Sequence, residues 1–183
     1  MMMVDFPDGC MALMDGTVIS MSHEVCDRHI GKRIFLAGPT KRGGTFEDSW
    51  RRDACLYLSR NGFDGIVHVP ENMNGMFEDV YAIKQAMWEW ERLDAADMIL
   101  FWVPRKFPEN PAMTTNVEFG TFTAAYPSKC LYGRPDDADK VQYLDIMWDY
   151  RVRNGEPVYG DLHVMLDRCL EKFGISKPRG IKA

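Results

Sequence analysis

The run Asp97-Met-Ile-Leu-Phe-Trp-Val-Pro104 sets the frame for the whole chain. Its apolar residues are continuous rather than alternating, as in a buried strand, and the proline ends it because proline cannot donate to a sheet ladder. After a short loop, Thr114-Thr-Asn-Val-Glu-Phe-Gly120 reads as the start of a helix with an acid in its first turns. A strand, a loop and a carboxylate near a helix start mark the place where an open α/β sheet gathers its chemistry. Glu118 is therefore a candidate reactive group. The competing reading is a capping acid that only complements the helix dipole.

The same strand-then-helix rhythm recurs along the chain. Lys32–Ala37 is expected to be the first core strand, ended by Gly38-Pro39. The next loop, Thr40-Lys-Arg-Gly-Gly-Thr45, holds two glycines that let backbone approach a ligand. Gly38, Pro39, Thr40 and Arg42 are thus candidates for phosphate or ribose contact, against a plain solvated loop. The spacing matches neither a P-loop nor a dinucleotide fingerprint. A helix is expected over 47–60, with Trp50, Ala54, Tyr57 and Leu58 as its buried stripe and Asn61-Gly62 as its stop. Ile66–Pro70 is the second strand, with His68 read as a satisfied core or edge histidine. A loop over 71–77 leads into a helix over 78–93, whose buried face is expected to be Val80, Ile83, Met87 and Trp90. On that helix Glu89 is either exposed and paired with Arg92, or turned into the same crevice as Glu118.

Arg105 and Lys106 follow the central strand, and Pro108 and Pro111 make 105–113 an ordered loop or lid. Thr114 or Thr115 is expected to cap a helix running from Asn116 to about Tyr126. Lys129–Tyr132 reads as a further strand, Tyr143–Trp148 leaves strand and helix open, and a last helix covers 161–173. The final residues, 176–183, read as a frayed basic tail. Residues 1–31 read as an extension with turns at Asp8-Gly9 and Asp15-Gly16 and a short strand at Thr17–Ser20; the segment either adds an antiparallel edge or is partly loose. The expected fold is a three-layer Rossmann-like (flavodoxin-like) α/β domain over 32–183 with a central, mostly parallel sheet.

Charge and cysteine usage narrow the function classes. A formal net charge of -5 argues against a nucleic-acid surface. Cys10, Cys26, Cys55, Cys130 and Cys169 are widely spaced, with no CxxC pair and no zinc spacing, which points to a reducing, cytoplasmic setting. His23, Cys26 and His29 are too few ligands for a metal set. No signal peptide and no membrane-spanning apolar run is legible.

Taken in order, Ile34-Phe-Leu-Ala-Gly-Pro39, Trp50-Arg51, Val69-Pro70-Glu71, Trp88-Glu89, Ala96-Asp97, Phe101–Arg105 and Thr114–Gly120 resemble the nucleoside 2-deoxyribosyltransferase-like proteins. The resemblance spans about residues 32–145. It implies that Glu118 is the nucleophile that attacks the anomeric carbon of a 2-deoxynucleoside, and that Glu89 is the companion carboxylate that steadies it. The sugar then passes to a second nucleobase, or to water in a hydrolase. Two alternatives stand beside transfer: hydrolysis of a nucleoside 5-monophosphate, motivated by Lys41, Arg42 and Arg105, and a non-catalytic nucleotide-binding module.

The resemblance also implies no cofactor, a homo-oligomer, and a pocket completed by a second subunit, to which Asp145 is a candidate contributor. Thr115 and Asn116 join the substrate-binding candidates, and Arg105 or Asn116 is a candidate for handling the base. Two positions depart from the family pattern. Ala112 stands where transferases often carry an aspartate, and Phe46 is the nearest aromatic to the first strand's exit.

Overall fold

Alternate residues of the central strands point into two different cores, which is why those strands are apolar throughout. The computed structural model describes residues 4–5, 10–12, 17–21, 31–40, 44–71, 82–152 and 156–176. The strands are β1 (Val4–Asp5), β2 (Cys10–Ala12), β3 (Val18–Met21), β4 (Arg33–Ala37), β5 (Ile66–Val69), β6 (Met98–Trp102) and β7 (Cys130–Gly133). The α-helices are α1 (Trp50–Arg60), α2 (Ala82–Ala95), α3 (Met113–Ala125), α4 (Gln142–Arg151) and α5 (Leu162–Lys172). Ile34 and Leu36 pack with Ala54 and Leu58 of α1 and Leu166 and Leu170 of α5. Phe35 and Ala37 pack on the other face with Trp88 of α2, Phe119 and Phe122 of α3 and Trp148 of α4. Three layers result, as expected.

The strands form one seven-stranded sheet in the order β1-β2-β3-β5-β4-β6-β7. From β3 to β7 all neighbours are parallel, and β1 and β2 add antiparallel pairings at one edge. The chain leaves β4 into α1 on one face and β6 into α3 on the other. The sheet therefore has a switch point between β4 and β6, and a crevice opens at the carboxyl ends of those strands.

Several expectations are corrected. Lys32–Ala37 is not the first core strand, because β3 precedes it, pairs parallel to β5 and is buried along its length. The face expected to bury α2 is exposed: Ile83 is 77%, Met87 60% and Trp90 41% accessible, while Trp88 and Leu93 face the core. Val80 lies outside the described residues, as do 72–77, Lys41, Arg42, His23, Cys26 and His29. The helix expected from Asn116 begins at Met113, and neither threonine caps it: the N-cap is Ala112, with no side-chain bond. His68 is buried but unsatisfied, because neither ring nitrogen has a hydrogen-bond partner among the described residues. Burial, then the Arg92 and Arg33 charges, push it down to about 3, so it is neutral in the core. Tyr143–Trp148 resolves as helix α4.

Candidate active site

The first wall of the crevice is the exit of β4. Gly38 has φ +149°, and a Cβ there would lie 2.0 Å from the Trp102 carbonyl oxygen. Only glycine lets the two strand ends approach so closely. Behind this turn sits Arg51, in the first turn of α1 and fully buried. Its Nε donates to Leu36 O at 2.8 Å, Nη2 to Gly38 O at 2.6 Å, and Nη1 to Thr40 Oγ1 at 3.1 Å. Nη1 also donates to Pro39 O and pairs with the Glu71 carboxylate at the exit of β5. Glu71 in turn accepts the Ser49 hydroxyl at 2.7 Å. A buried guanidinium is tolerable only when its donors are used this fully.

The second wall is the start of α3. Ala112 holds φ 52°, a left-handed conformation that costs alanine roughly 1 kcal/mol and suits asparagine or aspartate better. Its short side chain leaves the first amides of α3 without a side-chain cap. Glu118 lies in the second turn of the helix, not the first, so it is not a capping acid. Facing it is Glu89, near the middle of α2, where Gln85 one turn earlier donates to its carboxylate. Trp90 and Phe122, with ring centroids 5.6 Å apart, join α2 to α3.

These parts enclose a cavity of about 230 Å3, lined by Gly38, Pro39, Thr40, Arg51, Pro70, Glu89, Glu118 and residues 110–115. Its only described charges are one cation, Arg51, and two acids. Burial, then the Glu89 carboxylate, push Glu118 up to about 7, and Arg51 pulls it back. Glu89 is raised mainly by burial, against the Gln85 hydrogen bond and the Arg51 charge. Both acids thus share one cavity in which burial disfavours their ionised forms.

Most residues proposed from the sequence meet here: Gly38, Pro39, Thr40, Thr115, Glu89 and Glu118 all line the cavity. Arg105 and Asn116 do not. They bond each other, and Arg105 also donates to Lys140 O at 3.1 Å, pinning the loop after β7. Asp145 is also outside the lining. It accepts the Tyr132 hydroxyl at 2.9 Å and takes Arg134 with both oxygens, Nη2 on Oδ2 at 2.9 Å and Nε on Oδ1 at 3.1 Å. Arg51 was absent from the proposed site, yet its position was legible. It falls on the Ala54–Leu58 stripe of α1, where an arginine needs buried partners.

An open, largely parallel sheet with a cavity at its switch point lined by Glu89 and Glu118 defines a doubly wound α/β protein. No group of His, Cys, Asp and Glu suited to a metal ion occurs among the described residues, and no described helix is long and apolar enough to cross a membrane. A family model described as nucleoside 2-deoxyribosyltransferase like matches residues 31–137, more than half of the chain, and the protein belongs to that family. The matched span contains the whole described cavity and excludes β1–β3, α4 and α5. A comparison with curated proteins finds none that matches the chain.

Proposed function

We propose that the protein cleaves the N-glycosidic bond of a 2-deoxynucleoside with Glu118 as nucleophile and transfers the deoxyribosyl group to another nucleobase. The observation that carries this reading is the facing pair Glu118 and Glu89 in one cavity at the sheet's switch point. In the first step a Glu118 oxygen bonds to the anomeric carbon, and the bond to the base breaks with its electron pair leaving on the base. A proton held by the pair goes to the departing base, for which Glu89 is the donor. The second base then attacks the anomeric carbon, Glu118 leaves as carboxylate, and the acceptor's proton returns to the pair. Positive charge develops on the sugar in both displacements, and an anion beside it lowers the barrier. The absence of a 2-hydroxyl makes that charge easier to form.

Family membership and the raised acids support this reading. The test is a panel of 2-deoxynucleosides incubated with and without an acceptor base. Exchange of base by the wild type and its loss in Glu118→Gln are expected; normal exchange by that variant rules the reading out.

Hydrolysis of a deoxynucleoside 5-monophosphate remains the second reading, but its support shifts. Arg105 is absent from the cavity lining, while the start of α3, which has no side-chain cap, lines it, and a helix N-terminus favours an anion. Release of base from the monophosphate and not from the free nucleoside selects this alternative.

The described cavity is smaller than the ~300–1,000 Å3 of typical ligand pockets. It suits a sugar, with the base lying beyond the described walls. Above it, Ile83 and Met87 of α2, Met113 and Val117 of α3, and Tyr143, Ile146 and Tyr150 of α4 are exposed on one helix layer. Met113 belongs both to this apolar face and to the cavity lining. A second copy covering this face is the form in which the proposed enzyme works.

A further inference from the structure

We propose that Arg51 and Glu71 form a charge-setting device for the acid pair: Arg51 is a positioning residue whose cation reaches Glu118 and Glu89, and Glu71 sets how much of that charge they feel. This deepens the proposed function and rests on Glu118 being its nucleophile.

The geometry departs from that of a simple structural staple. Arg51 lines the cavity alongside both acids, although it is fully buried and spends its donors on the exits of β4 and β5. The β4 exit it fastens is the opposite wall of the same cavity, so one side chain fixes both the shape and the potential there. A nucleophile must be ionised to attack, and burial beside a second carboxyl works against ionisation. A fixed cation within the same cavity opposes that effect without entering the reaction.

Glu71 pairs with the guanidinium through Nη1, is 4% exposed and is absent from the cavity lining. It therefore offsets part of the cation's charge. Among the described residues, the charged groups that share the cavity with Glu118 are few. Helix α1 supplies Arg51, α2 supplies Glu89, the β5 exit supplies Glu71 as the partner of Arg51, and the described 38–40 and 110–115 segments supply none.

The two partners then have opposite effects. Removing the cation should raise the pH at which Glu118 ionises. Removing only the anion, while keeping an acceptor for Nη1, should lower it. A staple lost from either side would loosen the wall without this sign reversal. The test is carbon-13 NMR titration of glutamate carboxyls in the substrate-free protein, with Glu118→Gln used to assign the signal. Wild type, Arg51→Met and Glu71→Gln are compared after thermal melts establish which are folded.

Midpoints displaced upward in Arg51→Met and downward in Glu71→Gln, each by at least ~0.5 pH unit, are expected. If Arg51→Met does not fold, the downward displacement in Glu71→Gln decides alone. An unchanged or upward midpoint in that variant overturns the proposal. Because no substrate is present, the titration separates the two ideas. An unmoved midpoint in a protein that exchanges bases defeats the device alone. A moved midpoint in a protein with no glycosidic activity leaves the device standing and defeats the proposed function.

Discussion

Replacing Glu118 with glutamine should stabilise the protein at alkaline pH and leave its stability nearly unchanged in acid. The native environment raises this carboxyl from 4.5 to about 7. Each tenfold change in proton affinity corresponds to about 1.36 kcal/mol, so the ionised form is disfavoured in the folded protein by roughly 3 kcal/mol. The sign follows from linkage. A group with a raised folded value contributes stability that is complete below about 4.5 and is lost as pH rises through about 7. Glutamine keeps the shape and cannot ionise, so it escapes that loss.

Urea unfolding of wild type and Glu118→Gln at pH 4 and pH 8.5 measures the effect. The variant should gain up to ~3 kcal/mol at the higher pH and within ~1 kcal/mol of nothing at the lower. Equal stabilities at both values, or a variant less stable at pH 8.5, would refute the claim that the site strains this acid. A gain in stability with a loss of activity is the usual signature of a functional site.

Other outcomes follow from the same geometry. The kcat/KM for base release should fall on the acid side with a midpoint near 7, where Glu118 ionises in the free protein, and Glu89→Gln, which removes the proton donor, should lower base release at every pH. A pH–rate profile for each protein checks both. Glu156, held down to about 2 chiefly by hydrogen bonding from Arg168, also accepts from Tyr159 and pairs with Lys172. Its depressed value contributes stability above about 4.5 that is lost as pH falls through about 2. After screening at the half-exposed Arg168, Glu156→Gln should cost ~2 kcal/mol in urea unfolding at pH 7, and the difference should close in strong acid. Val117→Arg and Ile146→Arg place charge on the exposed helix layer. Sedimentation should show a smaller species than wild type, with base exchange falling in parallel; unchanged mass with full activity would remove the second copy from the account.

The parallel core of the fold was readable because buried strands and turn glycines leave local marks. Ile34–Ala37, Ile66–Val69 and Met98–Trp102 are short apolar runs with a break on each side, and each is a strand. The outward face of α2 was misread because hydrophobicity alone does not say which stripe meets the sheet. Ile83, Met87 and Trp90 form a regular apolar stripe, yet Trp88 and Leu93 are the residues that reach the core. The two acids were legible as candidates, since each sits on an element whose end or face meets the switch point. Their mutual approach was not, because it depends on how α2 and α3 cross the sheet.

Arg105 illustrates the converse. A cation just past a strand's end suggests ligand binding, but its partners Asn116 and Lys140 come from elements that only the fold brings together. Arg51 was overlooked for a related reason. A charged residue on a buried stripe is costly unless paired, and its pairing with Glu71 links positions 20 residues apart in the chain.

The most direct measurement is mass spectrometry of the protein quenched in acid during turnover of a 2-deoxynucleoside. A deoxyribosyl group on the peptide containing Glu118, absent in Glu118→Gln and lost when an acceptor base is added, is the predicted result. Steady turnover with that peptide unmodified, and undiminished in the glutamine variant, would contradict the assignment of Glu118 as the group that attacks the sugar.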